Sequence, residues 1–208
     1  MDKDITNMFK EKNKEIFKNS LTLEMERNLE TLKSTTDNCV ALEINKLFLF
    51  FKSYFQEINI DYKKEELLGI LYKERKVIND IVNSKIEEKK NRIKENFLNQ
   101  NDSSDVLTKE YLDNYFEKLK DETSKINDEL DLLLKEEICT KFSQYIISKF
   151  KLKDLSNLER INSRINILFK DNIITRVSEQ INFRDESLKN LAYESYDKYL
   201  SLNKTTVE

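Results

Sequence analysis

Residues 42–58, LEINKLFLFFKSYFQEI, carry the densest apolar and aromatic run of a chain that is otherwise strongly charged. Ile44, Leu47, Phe48, Phe51, Phe55 and Ile58 recur at helical spacing and make one face, which Leu49 and Phe50 widen. A helix with so broad an apolar side touches two or more neighbours. The stretch is therefore expected to be the central strut of a helical bundle.

The rest of the composition agrees. The 208 residues include one Gly and no Pro, and β-hairpins, bulges and βα turns draw on both. Charged residues at 36% and hydrophobic residues at 38% suit long helices with solvated outer faces rather than a disordered chain, because the apolar positions are periodic. The fold class is all-α: an elongated antiparallel helical bundle in which two long helices form a coiled-coil-like hairpin.

Outward from the strut, Ser34–Asn38 interrupts the apolar pattern with side chains that compete for backbone hydrogen bonds, so a kink or break is expected there. The segment before Ser20, with Ile5, Met8, Phe9, Ile16 and Phe17, reads as a short flap. Beyond the strut, Asp61 is an N-cap candidate for a helix to about Asn99, whose apolar filling thins after Val82. Its one glycine, Gly69, suggests a close helix crossing. Residues 99–105, NQNDSSD, read as a loop.

The second long helix, from about Val106 to Phe150, carries Leu112, Phe116, Leu119, Thr123, Ile126, Leu130 and Leu133 alternately four and three apart. Its register then slips by one, to Leu134, Ile138 and Phe142. Ser156–Glu159 fits a capping box, Asp171–Asn172 a bend, and Asp185 the cap of a last helix. With no low-complexity linker, residues 1–208 read as a single domain with an arm projecting over residues 83–125.

Composition removes most chemistry. Without histidine there is no Ser-His or Cys-His nucleophile, no HExxH zinc site and no Glu-x-x-His di-iron site. One glycine excludes a P-loop and a dinucleotide fingerprint. The carboxylate pairs Glu65–Glu66, Glu87–Glu88, Asp128–Glu129 and Glu136–Glu137 invite Mg²⁺ chemistry, but in so charged a chain such pairs belong to solvated faces. No catalytic residue, metal or cofactor is expected. Cys39 and Cys139 lack metal spacing and read as reduced thiols, and the N-terminus lacks the apolar core of a signal peptide. The expected compartment is the cytoplasm, and no run is long and apolar enough to cross a bilayer.

With a net charge of −3 from interleaved signs, nucleic acid is not an expected partner. Lys85, Lys89 and Arg92 share a face that could meet anionic lipid, although an ion-paired solvated face explains them more simply. The aromatic residues of the strut, and Tyr193, Tyr196 and Tyr199, read as core or core edge. The positive expectation is interaction. The arm's stripe of Tyr111, Leu112, Tyr115, Phe116 and Leu119, opposite Ile93 and Phe97, needs a cover, and a second copy of the chain is the simplest one. The chain is thus expected to be a non-enzymatic scaffold, adaptor or regulatory binder working through helix–helix contacts, as a homo-oligomer. A peripheral membrane module and a Mg²⁺-dependent helical hydrolase are the alternatives.

Overall fold

The computed structural model describes residues 3–95 and 108–205. The loop expected at 99–105, together with Phe97, lies outside them, as does the side chain of Ile93. The described residues are helical almost throughout: α1 (Lys3–Glu57), α2 (Lys64–Ile93), α3 (Lys109–Leu134), α4 (Ser143–Lys149), α5 (Leu155–Arg164) and α6 (Asn172–Thr205). Two π-helical segments, π1 (Lys135–Phe142) and π2 (Ile165–Asp171), join α3 to α4 and α5 to α6. Four helical runs result, and the all-α bundle is as expected.

Several local expectations change. The flap is the first part of α1, which continues through Ser34–Asn38 without interruption. Thr36 is buried there and its Oγ1 donates to the Lys33 carbonyl at 2.9 Å, so the hydroxyl is satisfied inside the helix instead of breaking it. Within the strut, Phe51, Tyr54 and Phe55 are fully buried, but Leu49 is 62% exposed and does not widen the inner face. The cap of α5 is Asp154, which accepts from the Ser156 backbone N–H at 2.9 Å, rather than Ser156 itself.

Two tight turns among the described residues use left-handed residues without glycine. Asn59 and Lys151 have φ of 53° and 52°, and Ile60 N–H and Leu152 N–H reach back to the Phe55 and Ile147 carbonyls. These six-to-one bonds are Schellman closures, which usually favour Gly at the left-handed position.

The π segments answer a sequence pattern. Leu130, Leu134, Ile138, Phe142 and Ile146 are all buried and spaced by four, as are Ile161, Ile165, Phe169, Ile173, Val177 and Ile181. In an α-helix each four-residue step overshoots a turn by about 40°, so five steps would carry the seam to the opposite side. The wider π turn cancels that drift and holds the row against its neighbours. Ser143 Oγ donates to the Ile138 carbonyl at 3.1 Å, and Asn172 Nδ2 to the Leu168 carbonyl at 3.0 Å, satisfying acceptors where α geometry resumes. No bend occurs at Asp171–Asn172. The register slip is real, and the backbone absorbs it by widening.

The chain forms two compact units whose divisions fall inside helices rather than at linkers. Unit 1 comprises residues 1–32, 87–125 and 181–208; unit 2 comprises residues 33–86 and 126–180. In unit 2 the neighbouring runs are antiparallel. Glu66 meets Lys149 and Lys85 meets Glu129, so partner numbers fall as those of α2 rise. Glu57 likewise meets Arg160, and Glu43 meets Arg176. In unit 1, Arg92 meets Glu122 and Lys94 meets Glu26.

The core of unit 1 holds Phe17, Leu21 and Met25 of α1, Leu112, Tyr115, Phe116 and Leu119 of α3, and Leu188, Ala192, Tyr196 and Tyr199 of α6. The apolar stripe of α3 is therefore not bare. Segments of α1 and α6 bury the stripe that a second copy was expected to cover.

Candidate functional site

The inner seams are mostly apolar, so their polar members stand out. On α2 the buried row runs Leu67, Leu71, Glu74, Ile78, Val82, Ile86 and Lys89, with steps of three and four. Glu74 and Lys89 thus occupy core positions by spacing, and their surroundings differ.

Lys89 is 7% exposed, and its Nζ lies 2.7 Å from both carboxylate oxygens of Asp185 on α6. The single Thr123 hydroxyl proton lies within reach of both Asp185 Oδ2 and the Leu119 carbonyl, which share it. Burial pushes the Lys89 ammonium below its ordinary pKa, against the opposing pull of Asp185. Asp185 is therefore not the cap of a last helix. It lies well inside α6 as the counter-ion of a buried lysine. Glu43, fully buried in unit 2, is similarly answered by Lys46 at 2.9 Å, Arg176 at 3.1 Å and Asn172 Nδ2 at 3.1 Å.

Glu74 has no such partner. It is 8% exposed, and its Oε1 makes no hydrogen bond. The adjacent Arg75 turns to α1, where it forms a two-pronged pair with Asp37 at 2.8 and 3.2 Å. Burial, and then the charge of Glu137, push the Glu74 carboxyl up to about 8, with Lys141 and Lys73 opposing. The acid is therefore mainly protonated at neutral pH.

Glu74 lies on the wall of a cavity of about 390 Å³ within unit 2. One wall is a face of α2, from Glu66 through Gly69, Ile70 and Lys73 to Val77; the other is Glu137, Lys141 and Phe142 of π1 with Tyr145 of α4. The exposed positions Gly69, Lys73, Lys141 and Tyr145 open it to solvent. Gly69 does not mark a close crossing as expected: a Cβ built there meets nothing within 4 Å. Its missing side chain leaves this wall low. The volume falls in the range of small-molecule sites, and the mixed apolar and carboxyl lining is of the kind such sites use. Phe142, at the end of π1, packs edge-on against Phe169 of π2 with ring centroids 5.9 Å apart, so the far wall is anchored in the core.

The sequence-derived candidates fall elsewhere. Leu112, Tyr115, Phe116 and Leu119 are buried in the unit 1 core, and Tyr111 packs against it. Lys85 pairs with Glu129 at 2.7 Å, Lys89 with Asp185, and Arg92 with Glu88 and Glu122. Each carboxylate pair named above also has a member in an ion pair: Glu66 with Lys149, Glu87 with Lys90, Glu129 with Lys85, and Glu137 with Lys141. Among the described residues no group of three or more acidic or cysteine side chains is placed to hold a metal ion. Cys39 and Cys139 are free thiols whose pKa burial raises. Tyr193 donates to Asp113, which pushes its phenol up to about 12, and Tyr196 and Tyr199 are buried. Among the described residues no helix is long and apolar enough to cross a membrane.

Sequence reading missed Glu74 because it lies in the charged run Lys73–Lys76. The available signal was its place in the seam, three after Leu71 and four before Ile78. The chain matches no protein-family model, no curated protein and no solved structure. It is an all-α protein, and what it does must be argued from its own residues.

Proposed function

We propose that this chain is a non-catalytic regulatory binding protein whose helical frame presents the cavity beside Glu74 to a small ligand. The observation that carries this reading is the unpartnered, buried Glu74 carboxyl on the wall of that cavity. A buried polar group without a partner costs about 1–3 kcal/mol, more if charged, and a ligand that answers it recovers that loss. Among the described residues no cluster of metal-ligating side chains accompanies Glu74. The binding reading proposed here rests on the cavity and no longer on the arm.

Titration with a small-molecule fragment library, followed by amide NMR, tests this. Shifts gathered at Gly69, Lys73, Glu74, Lys141 and Tyr145 are expected; a library that moves none of them refutes the reading.

Self-association is the second reading, and a different surface now favours it. Phe183 and Leu191, 62% and 39% exposed, flank a shallow groove of about 410 Å³ on α6. Light scattering on a sizing column should then show a dimer that Phe183→Ser with Leu191→Ser converts to monomer. A wild-type monomer would end this reading. The membrane-surface alternative is weakened by the carboxylate partners of Lys85, Lys89 and Arg92. The Mg²⁺ alternative gains no ligand set among the described residues.

A further inference from the structure

Building on the binding reading above, we infer that the cavity takes an organic cation with an apolar body, its ammonium group seated against the Glu74 carboxylate. Charge bookkeeping around the cavity leads there. Glu66 is already answered by Lys149 at 2.6 Å, and Glu137 by Lys141 at 3.4 Å. Glu74, 8% exposed with Oε1 unbonded, is the carboxyl in no ion pair, with Lys73 and Lys141 acting on it only from a distance. Ile70, Val77, Phe142 and the Tyr145 ring supply hydrocarbon and π faces, which suit the body of such a cation and can add cation–π attraction.

The groups facing Glu74 fix the proton balance. Lys73 and Glu66 come from α2, Glu137 and Lys141 from π1, and the Tyr145 phenol from α4, while Arg75 is held away by Asp37 of α1. With the cavity empty, Glu74 holds its proton up to about pH 8. An ammonium ligand favours the carboxylate, so binding below that pH releases the proton to solvent. A neutral ligand offering only an acceptor would instead favour the protonated acid, and its pH dependence would have the opposite sign.

Two probes of matched shape decide between them: cyclohexylammonium chloride and cyclohexanol, titrated calorimetrically into the full chain at about pH 6.5 and about pH 9. The ammonium should bind roughly thirtyfold tighter at the higher pH, as expected for a site titrating at about 8, and Glu74→Gln should abolish its binding. In the wild type, the carbon-13 titration midpoint of the Glu74 carboxyl should fall by at least about one unit when the ammonium saturates. Preferential cyclohexanol binding, tighter at the lower pH and kept by Glu74→Gln, would overturn the cation and leave the receptor reading standing. If neither probe, at about 10 mM, produces heat or moves the Glu74 midpoint, both readings fall.

Discussion

Asp185 in unit 1 and Glu74 in unit 2 each put a carboxylate on an otherwise apolar helix seam, and only Asp185 has a counter-ion. Around Asp185 the chain supplies Lys89 at 2.7 Å and the Thr123 hydroxyl. Around Glu74 it supplies an opening instead. A buried charge that the fold answers itself belongs to the fold. Glu74, held mainly as the neutral acid and in no ion pair beside a cavity, is the group that the proposed ligand would answer. Glu43 makes the contrast within one unit, since its two cations and one amide leave nothing for a ligand to do.

The largest expected effect is on the answered side. Asp185→Ala leaves the Lys89 ammonium buried and unpaired, and should cost about 3–5 kcal/mol in urea unfolding. Lys89→Met with Asp185→Leu should recover most of that, because hydrophobic replacement of a buried pair is often neutral. If the double variant is as unstable as the single, Asp185 matters for something other than its counter-ion. The comparison with Glu74 would then fail.

Next in size is Glu74 itself, through pH. Its folded-state pKa, raised from 4.5 to about 8, means that Glu74 holds more of its proton in the folded chain than in the unfolded chain throughout that window. The contribution of Glu74 to stability is therefore fully present below about pH 4.5 and is lost progressively as pH rises to about 8. Glu74→Gln should remove that slope, leaving a variant more stable than wild type at about pH 9 and little changed at about pH 4.5. A wild-type urea midpoint that this variant parallels at every pH would mean that Glu74 is solvated.

The seams show how far sequence could go. Periodicity gave the all-helical class, the buried face of the strut and the register change after Leu133, but not the continuity of α1 through Ser34–Asn38 or of α6 through Asp185. It did not give the π segments, because a run of four-residue steps such as Ile161 to Ile181 predicts either a drifting seam or a wider turn. Packing on both sides selects the wider turn. Asp185, between Ile181 and Leu188, carried the same seam signal as Glu74, yet Arg184–Asp185–Glu186–Ser187 looks like a helix start. The counter-ion that decides its role lies 96 residues away. The site was half legible: which polar residues are inside can be read from spacing, whereas which of them lack a partner depends on what other helices bring.

Ser143 tests the π account at smaller cost. Its buried hydroxyl donates to the Ile138 carbonyl, which the Ser143 backbone N–H also reaches, so Ser143→Ala should cost about 0.5–1.5 kcal/mol. Because π1 carries one wall of the cavity, the change should also weaken cyclohexylammonium binding, with Tyr145 and Lys141 amide shifts as the readout. Lost stability with unchanged binding would separate π1 from the site.

Gly69 gives the smallest effect and the sharpest reading of the open wall. A glycine inside an exposed helix face costs about 1 kcal/mol against alanine, and a Cβ at 69 meets nothing within 4 Å. Gly69→Ala should therefore stabilise by about that amount, raising Tm by a few degrees. Gly69→Leu keeps the helix gain but fills the mouth of the cavity, and should lower ligand affinity at least about tenfold with the fold intact. The two variants separate helix propensity from access. If leucine at 69 leaves cyclohexylammonium affinity unchanged, the ligand does not enter past Gly69, and the opening would have to lie on the Lys73 and Lys141 side.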